Sequence, residues 1–198
     1  MRCILALAAL LLALPLAAQT ESAKPSVVIS TSEGLIRVEL ADDKAPKTVA
    51  NFLRYVDEKR LDGTGFYRAL KVGGRTDLGL IQGGIRAEAK RALPPVAHEP
   101  TSATGLSHTH GAISMARGVP GSAQGDFFII IGELASLDAN PAAEGDNQGF
   151  AVFGRVTEGM ETVERILDAP VSATAGEGAM KGQMIEKPVR ILSVRRAD

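Results

Sequence analysis

Between residues 65 and 156 the chain offers five short apolar runs bordered or interrupted by glycine: Gly65 to Leu70, Leu80 to Gln82, Gly111 to Ala116, Asp126 to Ile131 and Phe150 to Val156. Glycine at such borders disfavours helices, and the runs are too short for the usual three turns. Strands at this spacing predict an antiparallel sandwich or a closed barrel rather than alternating strand–helix units. Upstream, Val27 to Thr31 and Leu35 to Leu40 flank Ser32-Glu33-Gly34. In the second of these, Ile36, Val38 and Leu40 alternate with Arg37 and Glu39, which reads as a hairpin with one buried face. Val189 to Val194 is expected as a last strand.

Two segments carry helical spacing. After Asp42-Asp43-Lys44-Ala45, Pro46 suits a first helical position, and Val49, Phe52, Leu53 and Val56 recur at i, i+3, i+4 and i+7. The two aspartates lie near the positive end of that helix. Met160 to Leu167 repeats the pattern with Met160, Val163, Ile166 and Leu167, and ends before Pro170. Lys71 to Gly79, Ala139 to Gly149 and the Ala/Gly/Ser-rich Ser172 to Gln183 read as loops beside the sheet.

The charge balance removes several partners. With 22 Lys+Arg against 23 Asp+Glu, and no like-charged block of five, neither a phosphate backbone nor an anionic membrane is indicated. Six Phe, two Tyr and no Trp leave little for stacking on single-stranded nucleic acid. Met1-Arg2-Cys3 followed by the apolar run Ile4 to Leu14, Pro15 and the small pair Ala17-Ala18 predicts a secretory signal peptide over residues 1–18. The stretch from Ile4 to Ala18 is short of the roughly 20 residues that span a bilayer. Cleavage near Ala18 would remove the only cysteine, Cys3, and leave a polar leader over 19–26 and one domain over 27–196. Such a chain is expected to be exported to an oxidising compartment and to hold together by packing alone.

His108 and His110 form an HxH pair that would share one face of a strand, with His98-Glu99 upstream. No third ligand stands at a diagnostic spacing, so no metal is expected and the histidines read as loop and strand-edge residues. Gly73-Gly74 and Gly83-Gly84 lack the lysine of a phosphate loop, and Ser114 lies in no nucleophile elbow.

What remains is one arginine, one glutamine and apolar side chains in strands: Gly65-Phe66-Tyr67-Arg68-Ala69, Leu80-Ile81-Gln82-Gly83-Gly84, Gly111-Ala112-Ile113-Ser114-Met115-Ala116-Arg117, Asp126-Phe127-Phe128-Ile129-Ile130 and Ala151-Val152-Phe153-Gly154-Arg155-Val156. Their order and spacing resemble the cyclophilin family of peptidyl-prolyl isomerases, as do Ala45 to Phe52 and Val156 to Met160. The resemblance covers about residues 27 to 196. It implies a mainly β fold, an eight-stranded antiparallel barrel capped by two helices. It also implies an isomerase in which Arg68 and Gln82 are catalytic and Leu80, Ala116, Arg117, Asp126, Phe128, Leu137 and Phe150 bind substrate. No cofactor is implied. The expected partners are proline-containing segments of exported polypeptides, the expected place a Gram-negative periplasm, and the expected state a monomer without nucleic-acid or membrane contacts.

The chain departs from the family pattern at the pocket. Gly79 stands where the family has a phenylalanine, Asp126 where it has glutamine, Ser136 where it has tryptophan or another aromatic, and Phe150 where many members have histidine. The segment between Arg68 and Gln82 is also about six residues longer than is common in the family. Asp126 is a possible direct partner for Arg68, which would either preorient the guanidinium or occupy it. Two readings follow: an active isomerase, or a cyclophilin-fold module that holds proline segments with little catalysis.

Overall fold

Period-two patterning closes on itself in this chain. The computed structural model describes residues 24–197; the expected signal peptide and most of the polar leader lie outside the described residues. Nine strands form: β1 (Ser26–Thr31), β2 (Gly34–Leu40), β3 (Gly65–Lys71), β4 (Gly79–Gly84), β5 (Ala112–Met115), β6 (Asp126–Ile131), β7 (Ala151–Glu158), β8 (Val171–Ser172) and β9 (Met184–Ala197). Pairing is antiparallel in the order β1-β2-β7-β5-β6-β4-β3-β9, and β1 pairs β9 to close an eight-stranded barrel. Closure leaves no long edge to template aggregation. The two-residue β8 adds one short rung to β9, a strand that begins earlier than Val189 and runs past Val194.

Three helices accompany the barrel: α1 (Pro46–Asp57), the single turn α2 (Thr101–Thr104), which sequence patterning does not announce, and α3 (Met160–Leu167). In α1, Val49, Phe52, Leu53 and Val56 are buried as their spacing requires. Its free N–H groups are not met by Asp42 or Asp43. Glu99, some fifty residues on, accepts from the Lys47 and Thr48 amides at 3.2 and 2.8 Å and from the Thr48 hydroxyl at 2.6 Å. A carboxylate there satisfies the helix end and complements its dipole. Gly159 starts α3 with φ 91°, and a Cβ there would lie 2.1 Å from the Leu35 carbonyl oxygen, so only glycine fits.

Alternation sorts side chains onto two faces. On β6, Phe127, Ile129 and Ile131 enter the barrel interior, while Phe128 and Ile130 belong to a second cluster outside it. On β4, Ile81 points in and Leu80 out. The interior is held by Phe52, Phe66, Phe127 and Phe153, whose ring centroids stand 5.0 to 5.7 Å apart in tilted and edge-to-face pairs.

β3 breaks the alternation once. Phe66 pairs with Gly83 and Arg68 with Gln82, so Tyr67 is an extra residue, a β-bulge, against β4, and the register with β9 is broken at the same place. Phe66 and Ala69 face the interior. The two residues between them, Tyr67 and Arg68, therefore both face outward, which strict alternation forbids.

Candidate active site

The outward faces of β3, β4 and β6 floor a groove of about 500 Å³. All nine residues singled out in the sequence line it: Arg68 from β3, Leu80 and Gln82 from β4, Asp126 and Phe128 from β6, Ala116 and Arg117 just after β5, Leu137 after β6, and Phe150 before β7. Strand register explains the convergence. Arg68 is paired with Gln82, Gln82 with Phe128, and Phe128 with Ser114, so the outward side chains stand in one row across four strands.

One end of the groove is apolar. Leu80 and Phe128 are buried in the outer cluster, with Leu70, Ala116, Leu137 and Phe150 packed on them. The Phe128 and Phe150 rings meet edge-on at 5.3 Å. Gly79 does not leave the gap its letter suggests. A Cβ at Gly79 would sit 2.0 Å from the Leu70 carbonyl oxygen, so the strands approach too closely for any side chain there. Leu70, opposite Leu80 on β3, lines the groove instead, and Val72 and Leu78 support it from the longer connection. That connection is shorter than Lys71 to Gly79 implies, since Lys71 and Gly79 are themselves paired and only residues 72–78 leave the sheet.

The other end is polar. Arg68 donates from Nε to Gln183 Oε1 and from Nη1 to Gln82 Oε1, both at 2.8 Å. Both acceptors are neutral amides, so no carboxylate quenches the guanidinium, and its burial lowers its pKa from the ordinary arginine value. Asp126 is not its partner, contrary to the direct pairing weighed from sequence. The Asp126 carboxylate accepts from the Tyr67 hydroxyl at 3.1 Å and from the backbone amides of Arg86 and Ala87 at 2.7 and 3.3 Å. Burial raises its pKa, against the lowering effect of these bonds. Gln82 Nε2 donates to the Tyr67 hydroxyl at 2.8 Å.

Arg117 closes the rim. Its guanidinium pairs with Asp146 at 2.6 and 2.9 Å, donates to the Gly149 carbonyl, and stands 5.0 Å from the Phe150 ring centroid. The segment expected as a loop over Ala139 to Gly149 is thus pinned beside the apolar end.

His108 is neither a strand-edge group nor half of a two-histidine face. It is fully buried beneath the groove, stacked on Phe128 at 5.8 Å between centroids. Its Nδ1 meets Asp138 at 2.5 Å and its Nε2 meets Ser114 at 3.0 Å. Burial pushes its pKa down more than Asp138 pulls it up, which keeps the ring neutral at pH 7. Ser114 is equally buried, so the Ser–His–Asp order forms a support rather than an exposed nucleophile. His110 lies outside on the surface, where its ring accepts from the Gly132 amide.

Sequence reasoning missed Leu70, Tyr67 and Gln183. Tyr67 reads as barrel packing unless the bulge is seen. Gln183 closes a low-complexity loop 115 residues from Arg68, and nothing in its neighbourhood marks it.

Comparison with known proteins agrees with this arrangement. Residues 26–196 match the family described as cyclophilin type peptidyl-prolyl cis-trans isomerase. The chain is 34% identical to a peptidyl-prolyl cis-trans isomerase of Acinetobacter baylyi over 177 residues, covering 87% of this chain and 86% of that one. It is also 34% identical to peptidyl-prolyl cis-trans isomerase B of Escherichia coli over 142 residues, 71% and 82% of the two chains. In fold it is similar to a Cryptosporidium parvum cyclophilin type peptidyl-prolyl cis-trans isomerase crystallised in the presence of the dipeptide Ala-Pro. That likeness has a TM-score of 0.68 at 22% identity, over 87% of this chain and 99% of the other. The chain belongs to the cyclophilin family, and its activity is that of a peptidyl-prolyl isomerase.

Proposed function

We propose that the groove binds a proline-containing segment with its ring at the apolar end, against Phe128, Leu80, Leu70 and Leu137, and that Arg68 and Gln82 act on the prolyl amide. Amide resonance sets a rotation barrier of about 18–20 kcal/mol, and no covalent bond has to break to lower it. Differential binding suffices: donors placed to stabilise the twisted amide better than either planar form accelerate both directions equally. A donor hydrogen bond from the Arg68 guanidinium toward the prolyl nitrogen favours its pyramidal form and withdraws the lone pair from resonance. The observation that carries this reading is that Arg68 is oriented by Gln82 and Gln183 and neutralised by neither. The same observation favours an enzyme over a passive binding module, since a guanidinium spent on Asp126 would have little left for substrate.

The physiological clients in this reading are exported polypeptides, and the site of action is the periplasm. Residues 1–18 support it through their charged start, apolar run and small residues near Ala18. The protein acts there as a monomer without a cofactor. The deciding assay is protease-coupled isomerisation of a proline tetrapeptide by the mature chain and by Arg68→Ala. A folded wild-type sample with no rate above the uncatalysed one sinks the assignment, as does equal activity in the variant. Cell fractionation with N-terminal sequencing tests export, and cytoplasmic protein beginning at Met1 contradicts it.

A further inference from the structure

We propose that Tyr67 and Asp126 are positioning residues, the first two links of a one-way hydrogen-bond chain, Asp126 to Tyr67 to Gln82 to Arg68, that sets the angle of the Arg68 guanidinium. The inference rests on the role assigned to Arg68 above and adds what holds that residue in place.

The chain has one possible direction. An ionised carboxylate only accepts and a guanidinium only donates, so both ends are fixed. The Tyr67 hydroxyl has a single proton, and it goes to Asp126 at 3.1 Å. Its oxygen then accepts from Gln82 Nε2 at 2.8 Å, which turns Gln82 Oε1 toward Arg68 Nη1 at 2.8 Å. Reversing the Gln82 amide would set its NH2 against the guanidinium and call the tyrosine proton away from Asp126, and two bonds would be lost at once. Burial and the Asp126 charge both raise the Tyr67 pKa, so the hydroxyl keeps the proton it must give.

The far end is built. Asp126 is held by the successive amides of Arg86 and Ala87, at φ 50° and 57°. Left-handed backbone is uncommon for non-glycine residues, and two in a row form a concave pair of N–H donors suited to an anion. The carboxylate is thereby anchored two links away from the guanidinium. Its position orients Arg68 while no ion pair covers the guanidinium. Among the described residues Arg68 Nη2 makes no hydrogen bond, and Nε and Nη1 carry the whole orientation. The β3 bulge is what lets Tyr67 and Arg68 face outward side by side.

Three variants test the chain: Tyr67→Phe, Asp126→Asn and the two together. Loss of one orienting hydrogen bond predicts about a tenfold fall in the isomerisation rate at saturating peptide for Tyr67→Phe. Peptide affinity measured by calorimetry should stay within about twofold, because a tilted guanidinium affects the twisted amide more than the planar one. Asp126→Asn should show the same split, and the double variant should be no worse than Tyr67→Phe alone, since both act through one path. Additive losses, an unchanged rate, or a loss confined to affinity each overturn the proposal. If Tyr67→Phe does not fold by thermal melting, Asp126→Asn carries the rate and affinity test. An NMR readout stands apart from activity: the Arg68 Nε–H and Gln82 side-chain amide signals should shift in Asp126→Asn, and unmoved signals refute the chain. Should the folded wild type show no isomerisation, the role of Arg68 fails, and the chain is judged by those signals alone.

Discussion

Phe127 and Phe128 are neighbours on one strand and answer to different demands. Phe127 is enclosed by Phe52 and Phe66 inside the barrel, where any well-shaped apolar group would serve. Phe128 lies on the outer face with Leu80, Phe150 and His108 around it and borders the groove with little of its ring exposed. The interior is a packing problem solved by volume. The outer face is a placement problem, in which a second apolar cluster and a polar chain keep a few side chains at set distances, and its departures from common family residues are met by compensations nearby.

The sharpest way to break that contrast is at the pair itself. Phe127→Ala should cost about 3–5 kcal/mol in denaturant-measured stability. Phe128→Ala should cost a comparable amount, because its ring is also buried, and should in addition lose most peptide binding. Full peptide binding in a folded Phe128→Ala, or its loss in a folded Phe127→Ala, would erase the distinction between the faces. Next in size, Arg68→Ala should lower kcat/KM by about 10²- to 10³-fold with stability within about 1 kcal/mol of wild type; a large stability loss would make Arg68 structural. Gly79→Ala should destabilise by about 1–3 kcal/mol, since its Cβ meets backbone that has no room to yield. A neutral Gly79→Ala would mean that the wall formed by Leu70 is adjustable.

The smallest effect is read with pH. The folded-state pKa of His108 is depressed, first by burial, so above the unfolded value of about 6.5 the neutral ring contributes its full packing. As pH falls below that value the unfolded chain takes up a proton that the folded one refuses. Stability should therefore decline toward the acid side, with a slope approaching about 1.4 kcal/mol per pH unit until the folded-state pKa is reached. Asp138 is lowered as well: burial raises its pKa, but bonds from Ser107 and His108 hold it below the usual carboxylate range, so its own loss comes at lower pH. Urea titrations between pH 7 and 5 check this. A His108→Gln variant should flatten the slope, and an unchanged slope would place the titrating group elsewhere.

Much of this was legible in the residue order. The alternation of Ile36, Val38 and Leu40 with Arg37 and Glu39 assigns the buried face of β2, and the spacing of Val49, Phe52, Leu53 and Val56 assigns the buried side of α1. The nine residues expected at the site do line one groove. Less was legible where a contact depends on geometry that letters do not carry. Gly79 reads as a missing wall, because the backbone approach that excludes a side chain and the substitute from Leu70 are three-dimensional facts. Asp126 reads as a rival for Arg68, because its anchoring by the Arg86 and Ala87 amides depends on a left-handed turn at two non-glycine residues. His108 reads as a loop or strand-edge residue, because Asp138 and Ser114 reach it from other segments. Glu99 capping α1 from fifty residues away is of the same kind.

The bulge at Tyr67 acts on β3 as a reading frame acts on a message. Every outward position of that strand downstream of Phe66 is counted from one surplus residue, so Arg68 faces the groove by count as well as by identity. Smoothing the bulge with every letter kept would put the strand out of phase and turn the arginine into the barrel, whereas deleting Tyr67 would leave Arg68 outward, next after Phe66 and still opposite Gln82. Alignments that set a one-residue gap at Tyr67 would score as near equals two chains that both present a guanidinium, although only one of them carries the tyrosine beside it.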